Sequence, residues 1–327
     1  MKVVTAQKLD GIEDYEIVEQ AVPIADKGQV LIKVAACGMG FVDALVATGR
    51  YQVKPQLPYT PGLEISGVVA AVGPGVSELS PGDRVMANAL GGGLAEYVCV
   101  PAMGVTRLPG RMGLFQAAGF GINYLTALHA LVDRAAFQKG ERLLVLGAAG
   151  GVGTAAVQIG RILGGEIVAV ASTEAKRDFT RANGAGSAIG SDLGDLRARV
   201  KDAFGGAPDV VFDPVGGELF ESAFRSLAWR GRHLVIGFAS GAIPKLPINL
   251  SLLKGAALLG VDVRQFLLFE AERARQHMET LLEWVEDGKL VPTVGREFPL
   301  SDFAEAMRFA LSGAGTGKTI IHLEAEV

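Results

Sequence analysis

The sequence predicts an α/β protein with a strand-rich first domain and a second domain built on a doubly wound parallel sheet. Residues 1 to about 120 form short alternating segments separated by Pro/Gly turns such as "VGPGVSELSPGDRV". From about Asn123, apolar strand-length runs alternate with amphipathic helix-length segments. One of these runs leads directly into the glycine loop "GAAGGVG". A chain of 327 residues is long enough for two such domains.

The predicted strands follow in two groups. The first group is "GQVLIKVAACG", "ISGVVAAVG", "GDRVMANAL" and "AEYVCV". The second group is "RLLVLGA", "EIVAVAS", "SAIG", "DVVFDPV", "RHLVIG" and "ALLGVDV". A long helix, "LFEAERARQHMETLLEWVEDG", then ends at Gly288, and a helix capped by Ser301 or Asp302 precedes a glycine loop and a final strand. We expect residues 1–122 and 266–327 to form the first domain and residues 123–265 the second.

Composition excludes several classes of protein. The chain is 49% hydrophobic and 20% charged, which is typical of a globular protein rather than a disordered one. Its formal net charge of -4 is spread without long basic runs, so no nucleic-acid partner is expected. The N-terminal residues lack the apolar core of a secretory signal, and the uncharged run Leu143–Gly160 contains five glycines, so we expect neither export nor a membrane span. Cys37 and Cys99 lie outside any CxxC pair, which favours a reducing cytoplasm.

Two glycine loops compete as phosphate-binding candidates. "SGAGTGKTII" resembles a triphosphate loop, but Ser312 stands where the first glycine is needed, a helix precedes the loop and a β run follows it. "LLVLGAAGGVGTAAVQIG" has the opposite context, an apolar strand before the glycines and a helix directly after them. This context favours dinucleotide binding at the helix N-terminus. The predicted cofactor-binding residues here are Gly147, Ala149, Gly150, Gly151, Val152 and Gly153.

The residues after the second strand of the second domain indicate which nicotinamide cofactor binds. A carboxylate at this strand end would favour NAD, but the sequence is "VAVASTEAKRDF". Ser172 occupies the strand end, and Lys176 and Arg177 follow at a distance that suits a 2′-phosphate. Glu174 weakens this interpretation, and both cations also fit a solvated helix face. We expect NADPH rather than NADH.

With the glycine loop placed after a strand-rich domain, the chain resembles the medium-chain dehydrogenase/reductase superfamily, specifically its zinc-free NADPH:quinone oxidoreductase branch, which includes the zeta-crystallin-like proteins. The motifs that carry the resemblance are "GFVDALVATGRYQVKPQLPYTPGLEISGVVAAVG", "SPGDRV", "GGGLAEYV", "NYLTALHALVDRA", "VLGAAGGVGTAAVQIG", "VVFDPVGG", "GRHLVIGFASG" and "TGKTII". The resemblance implies a GroES-like catalytic domain, a Rossmann cofactor domain and a homodimer. "ALLGVDV" is the strand that would pair with its copy.

The zinc-dependent relatives provide a comparison for the metal. The resemblance aligns their ligand positions with Gly40, Leu63 and a position near Ile122, none of which has a side chain that binds zinc. The four histidines lie beyond the active-site motifs of the first domain. Cys37 and Cys99 are interpreted as packed hydrophobic residues. We therefore expect no metal.

The resemblance also implies roles for individual residues. Tyr51 would lie beside the substrate pocket as a hydrogen-bond or proton donor, or would only line a loop. Thr126 would lie near the nicotinamide or the acceptor, and Asp43 would organise the site. Further cofactor contacts would come from the stretch "GFASG"; they are Gly237, Phe238 and Ser240. Lys318 in "TGKTII" would lie near the cofactor or only in solvent.

Other positions are open or depart from the family pattern. Asp213 would contact the cofactor or cap a turn, and Asn249 would be a polar contact or a turn residue. Gly40 replaces an asparagine found in many relatives, and Ser191 replaces a tyrosine beside the adenine. The arginine of the terminal loop is missing, which leaves Lys318 as its cation.

These features predict an enzyme that transfers hydride from NADPH to quinones or related electron-poor carbonyl compounds without zinc. One alternative is reduction of the C=C bond of α,β-unsaturated carbonyl compounds or thioesters. Another alternative is a non-catalytic NADPH-binding protein.

Overall fold

The computed structural model describes residues 1–52, 54–89 and 91–323. The strands are β1 (Lys2–Thr5), β2 (Glu16–Glu19), β3 (Gln29–Met39), β4 (Glu64–Val72), β5 (Arg84–Asn88), β6 (Tyr97–Pro101), β7 (Val105–Arg107), β8 (Arg142–Val145), β9 (Glu166–Val170), β10 (Ser187–Ile189), β11 (Val210–Asp213), β12 (Arg232–Val235), β13 (Ala257–Gly260), β14 (Val294–Pro299) and β15 (Lys318–His322). The α-helices are α1 (Phe41–Ala47), α2 (Leu114–Ala118), α3 (Gly121–Leu128), α4 (Gly151–Ile162), α5 (Glu174–Ala182), α6 (Leu196–Phe204), α7 (Leu219–Ser226), α8 (Asn249–Lys254), α9 (Val263–Phe269), α10 (Ala271–Glu286) and α11 (Phe303–Ser312).

The chain folds into two compact units, one formed by Met1–Ile122 with Val291–Val327 and the other by Asn123–Leu290. The chain therefore returns to the first unit after α10 and not before it. The boundary expected at 265/266 is corrected to 290/291. The physical reason is the packing of α10, because Ala274 is buried with Leu125 and Phe266, and Met278 packs against the same cluster. Residues 266–290 accordingly belong with the second unit.

The first unit contains a seven-stranded sheet in which β14, β15, β3, β4, β5 and β7 are successive neighbours and β6 pairs with β3. Strand β15 lies parallel to β14 and antiparallel to β3, where Ile321 pairs with Cys37. The sequence "KTIIH" therefore forms a strand within the sheet of the first unit, which confirms the strand predicted after the glycine loop near the C-terminus. Apolar residues of β3 and β4, such as Ile32 and Ile65, lie in its core.

The second unit contains six parallel strands in the order β10-β9-β8-β11-β12-β13. The order reverses between β8 and β11, which confirms the doubly wound sheet. Ligands of such sheets bind at the carboxyl ends of the strands beside this reversal. Leu144, Val168 and Val211 of the central strands are fully buried, or nearly so, in the core of this unit.

The uncharged run Leu143–Gly160 forms parts of β8, a glycine turn and α4. Within the described ranges of the chain, the helices are too short or too polar to cross a bilayer.

Candidate functional site

The first glycine loop connects β8 to α4 in a turn that requires glycine. Gly147 has a φ of +55°, which is the left-handed region. A Cβ at position 153 would lie 2.4 Å from the carbonyl oxygen of Gly147, so only glycine permits the helix to start this close to the turn. Gly150 is the N-cap residue and donates its N–H to the oxygen of Gly147 over 3.0 Å. The N-terminus of α4 therefore presents backbone N–H groups beside Ala149, Gly151 and Val152, an arrangement that suits a phosphate.

The turn after β11 lies next to this loop. A Cβ at Gly147 would lie 2.8 Å from Cγ2 of Val215. The Asp213 carboxylate accepts the N–H groups of Val215 and Gly216 through Oδ1, and its Oδ2 lies 3.0 Å from Nε2 of His233. Asp213 is therefore a buried capping carboxylate, one of the two roles left open by the sequence.

The segment that contains Gly237, Phe238 and Ser240 follows β12 and packs on the same turn. Ser240 donates its backbone N–H to the oxygen of Val215 over 3.0 Å. A Cβ at Gly216 would lie 2.9 Å from Cδ1 of Phe238. The structure thus brings the glycine loop, the β11 turn and this segment together at the carboxyl ends of the parallel strands. Asn249 starts α8 and is exposed.

Asn123 is a neighbour of the glycine loop that was not predicted. A Cβ at Gly151 would lie 2.7 Å from its Nδ2. The local signal is the single amide side chain in the uncharged stretch "GINYLTAL".

Beyond β9, the residues predicted to bind the 2′-phosphate lie at the start of α5. Thr173 caps this helix by accepting the N–H of Lys176 over 3.3 Å. Arg177 donates to Glu174 through Nε at 3.0 Å and Nη2 at 2.7 Å, so its guanidinium is already paired. Burial lowers the pKa of Lys176. Ser172 is exposed directly before the cap.

The loop after β10, where Ser191 lies, is held by Arg199. This guanidinium donates through Nη1 to the oxygen of Gly190 over 3.2 Å and through Nη2 to the oxygen of Gly194 over 3.1 Å. Arg199 was not predicted, because an arginine on an amphipathic helix carries no signal of such a role.

In the first unit, Lys318 lies in a buried ionic cluster with Asp43 and Glu64. Its Nζ lies 2.6 Å from Oε2 of Glu64 and 3.9 Å from Oδ2 of Asp43. Burial alone lowers the pKa of Lys318, but the two carboxylates outweigh it and the pKa is raised. Burial raises the pKa of Asp43 against the attraction of the Lys318 ammonium. Lys318 was expected to contact the cofactor, whereas the structure gives its ammonium two carboxylate partners.

Tyr51 and Thr126 were predicted from the family resemblance. Tyr51 follows α1, is half-buried and packs against the core of the first unit. Thr126 lies on α3 and is buried. Their catalytic roles stay predictions.

A second ionic cluster in the second unit was not predicted. Asp133 Oδ2 lies 2.7 Å from Nδ1 of His129 and 2.8 Å from Nε2 of His277, and Asp133 Oδ1 accepts from Nε of Arg273 over 2.7 Å. His129 also stacks on Phe266 with ring centroids 3.8 Å apart. The cluster joins the segment after α3 to α10, residues too far apart in sequence for a local pattern to reveal.

The residues at the three positions aligned with zinc ligands do not fit that metal. Gly40, Leu63 and Ile122 carry no thiolate, imidazole or carboxylate, which are the groups that bind zinc. Within the described part of the chain, no cluster of three or more His, Cys, Asp or Glu side chains is arranged to hold a metal ion. Cys37 is fully buried and lies against Gly62 and Gly93, and burial raises its pKa well above the ordinary value. It is a packed thiol, as the sequence indicated.

Comparisons with known proteins place these features in a family. Residues 26–110 match the profile described as "Alcohol dehydrogenase GroES-like domain", and residues 151–287 match "Zinc-binding dehydrogenase". The quinone oxidoreductase of Homo sapiens is 36% identical over 308 residues, which cover 93% of this chain and 92% of that protein.

Two solved structures also match nearly the whole chain. The quinone oxidoreductase of Thermus thermophilus, solved alone and with NADPH, is 34% identical with a TM-score of 0.85, covering 99% of this chain and 100% of that one. The CurK enoyl reductase is 26% identical with a TM-score of 0.88, covering 99% of each chain. The two matched domains, the identity to a full-length relative and the shared fold show that this chain belongs to the quinone oxidoreductase-like proteins of the medium-chain dehydrogenase/reductase superfamily.

Proposed function

We propose that the protein is an NADPH-dependent oxidoreductase that reduces quinones or related electron-poor carbonyl compounds without zinc. The observation that carries the proposal is the glycine loop between β8 and α4. It lies where the strand order reverses, and its glycines permit close approach to the N-terminus of α4. The identity to quinone oxidoreductases over most of the chain supports the acceptor class.

NADPH is the proposed cofactor. Its pyrophosphate would be held by the backbone N–H groups of the loop from Gly147 to Gly153, where the helix N-terminus favours negative charge. Lys176 and Arg177 are the proposed partners of the 2′-phosphate, because both lie in the first turn of α5, the helix that follows β9. The NADPH complex of the Thermus thermophilus relative supports NADPH as the cofactor.

When bound, NADPH supplies a hydride; with one proton from solvent or a side chain, a quinone becomes a hydroquinone and NADP⁺ remains. The protein's part is to orient the acceptor and to stabilise negative charge that develops on its oxygen. We assign the donor role to the Tyr51 hydroxyl. Thr126 is proposed as a contact of the cofactor or acceptor. Asp43 is a positioning residue, because its carboxylate caps α1 and receives the N–H of Leu63.

The proposal that the enzyme needs no zinc rests on the side chains at the positions aligned with zinc ligands. Gly40, Leu63 and Ile122 supply no zinc ligand, and Lys318 contributes an ammonium between Asp43 and Glu64. A cation beside these carboxylates opposes the entry of a second one.

A second candidate reaction is reduction of the C=C bond of an α,β-unsaturated carbonyl compound, favoured by the likeness to the CurK enoyl reductase. Deuterium-labelled NADPH tests the two reactions with one small quinone and one enone as substrates. Quinone reduction leaves no deuterium on carbon of the hydroquinone, whereas C=C reduction leaves it on the β-carbon. Tight binding of NADPH with no turnover on a broad panel of quinones and enones would count against both reactions and favour a non-catalytic NADPH-binding protein.

We also propose a homodimer formed through β13. This strand is an edge of its sheet and its Leu258 is 43% exposed. Leu252 and Leu253 on the preceding helix are 80% and 69% exposed, which is unusual for leucines of a monomer. Leu252→Glu should shift the mass in solution from dimer to monomer, and a dimer that survives Leu258→Glu as well would contradict this interface.

The free thiols Cys37 and Cys99 fit a cytoplasmic location.

A further inference from the structure

The side chain of Lys318 runs through a channel bounded by three glycines of the first unit. A Cβ at Gly119 would lie 2.9 Å from Cβ of Lys318, and a Cβ at Gly38 would lie 3.1 Å from its Cε. A Cβ at Gly40 would lie 2.9 Å from its Nζ. The channel therefore accommodates the lysine only because these three positions carry no side chain.

The ammonium at the end of this channel is buried with its two carboxylate partners. Lys318 is 8% exposed, and Asp43 and Glu64 are each 3% exposed. A buried charge that loses its partner is strongly destabilising, so the three groups depend on one another. Removing the ammonium leaves two buried carboxylates without their shared cation.

The same carboxylates hold the backbone of three separate segments. Glu64 accepts the N–H of Ile122 through Oε1 over 2.7 Å. Asp43 accepts the N–H of Gly40 through Oδ2 over 2.8 Å and that of Leu63 through Oδ1 over 3.0 Å. The end of β3, the approach to β4 and the start of α3 are therefore tied to one ammonium.

We infer that Lys318 is a positioning residue whose ammonium, through Glu64 and Asp43, fixes the backbone at Gly40, Leu63 and Ile122. Asp43 also lies on α1, the helix that leads to Tyr51, so the cluster orients the proposed donor. This last consequence rests on the proposed function. The fixation of the backbone does not.

Amide hydrogen exchange of Lys318→Met tests the inference, because methionine keeps the stem and removes the charge. Exchange at Gly40, Leu63 and Ile122 should accelerate at least about tenfold, since amides exchange through local opening. Lys8→Met is the matched control, because Lys8 is an exposed lysine of the same unit that also pairs with carboxylates. It should leave these amides unchanged. Unchanged exchange in a folded Lys318→Met would overturn the inference.

Gly119→Ala provides a second variant in case Lys318→Met does not fold. Its Cβ displaces the lysine stem and should accelerate the same three amides, whereas Gly104→Ala, whose Cβ meets nothing closer than 4.0 Å, should not. Wild-type exchange in Gly119→Ala would also overturn the inference.

Kinetic measurements distinguish a positioning role of Lys318 from a direct contact with the cofactor. Lys318→Met should lower kcat at least about tenfold while the Kd for NADPH changes less than about twofold. An increase in that Kd with unchanged amides would identify Lys318 as a cofactor contact and overturn the inference. If the wild-type protein turns over no acceptor, the proposed function fails, but the amide measurements still decide the role of Lys318.

Discussion

The Nζ atom of Lys318 occupies space that a side chain at position 40 would need, because a Cβ built on Gly40 would be only 2.9 Å from it. Gly40 and Lys318, two positions at which we expected this chain to depart from the family pattern, therefore lie side by side. The lysine needs the space that the glycine leaves.

Gly153→Ala should weaken cofactor binding. The added Cβ would lie 2.4 Å from the oxygen of Gly147 and 2.8 Å from Cα of Ala148, so backbone atoms of the loop have to move. We expect the Kd for NADPH to rise about tenfold or more, equivalent to about 1.4 kcal/mol, measured by fluorescence titration. Gly186→Ala is the control, since its Cβ meets only an ordinary contact at 3.5 Å. Equal affinities for both variants would contradict the role of the loop.

Lys176→Ala should reduce the preference for NADPH. If its ammonium meets the 2′-phosphate, the KM for NADPH rises about tenfold while the KM for NADH stays within about twofold, because a charge-assisted contact is lost for one cofactor alone. Arg181→Ala controls for the charge of α5, since Arg181 is an exposed residue of the same helix that pairs with Glu174. An unchanged KM for both cofactors would show that Lys176 is only part of a solvated helix face, and an equal rise for both would show that it does not meet the 2′-phosphate.

Tyr51→Phe should lower kcat for quinone reduction by about 100-fold, the lower end for loss of a proton donor. The Kd for NADPH should be unchanged, because the hydroxyl is proposed to serve the acceptor and not the cofactor. Tyr97→Phe in β6 is the control for loss of a half-buried hydroxyl. A Tyr51→Phe variant with the wild-type kcat across the pH range would remove Tyr51 from the mechanism.

Asp133→Asn should destabilise the protein in a pH-dependent manner. Burial alone would raise the pKa of Asp133, but hydrogen bonds from Arg273, His129 and His277 outweigh it and lower the pKa. A lowered pKa in the folded state contributes stability above the unfolded value of about 3.9, and this contribution is lost as the pH falls through the folded value.

The free energy of unfolding should therefore fall by about 1.5–3 kcal/mol at neutral pH in Asp133→Asn, because hydrogen bonds to a charged group are lost. The difference from wild type should shrink below about pH 4. Urea unfolding at both pH values measures it, with Asp287→Asn as an exposed ion-pair control. A difference that does not depend on pH would show that the charge of Asp133 is unimportant.

The parts of the fold that depend on local patterns were predictable. The glycine loop after β8 follows from glycine spacing between an apolar strand and a helix, and strand β15 from the apolar run after the terminal glycine loop. The pairing of Lys318 with Glu64 was not predictable, because it joins residues 254 positions apart. The boundary at 265/266 was wrong for a related reason. The apolar positions of α10 show that this helix packs on something, but not that Leu125 and Phe266 of the second unit are its partners.

Steady-state NADPH consumption with a small quinone, measured with and without a metal chelator, tests the proposed function most directly. We predict quinone-dependent oxidation of NADPH at the same kcat in both conditions, with no gain when zinc is added, because Gly40, Leu63 and Ile122 offer the metal no ligand. Activity that disappears with the chelator and returns with zinc, or no consumption of NADPH with any quinone, would contradict it.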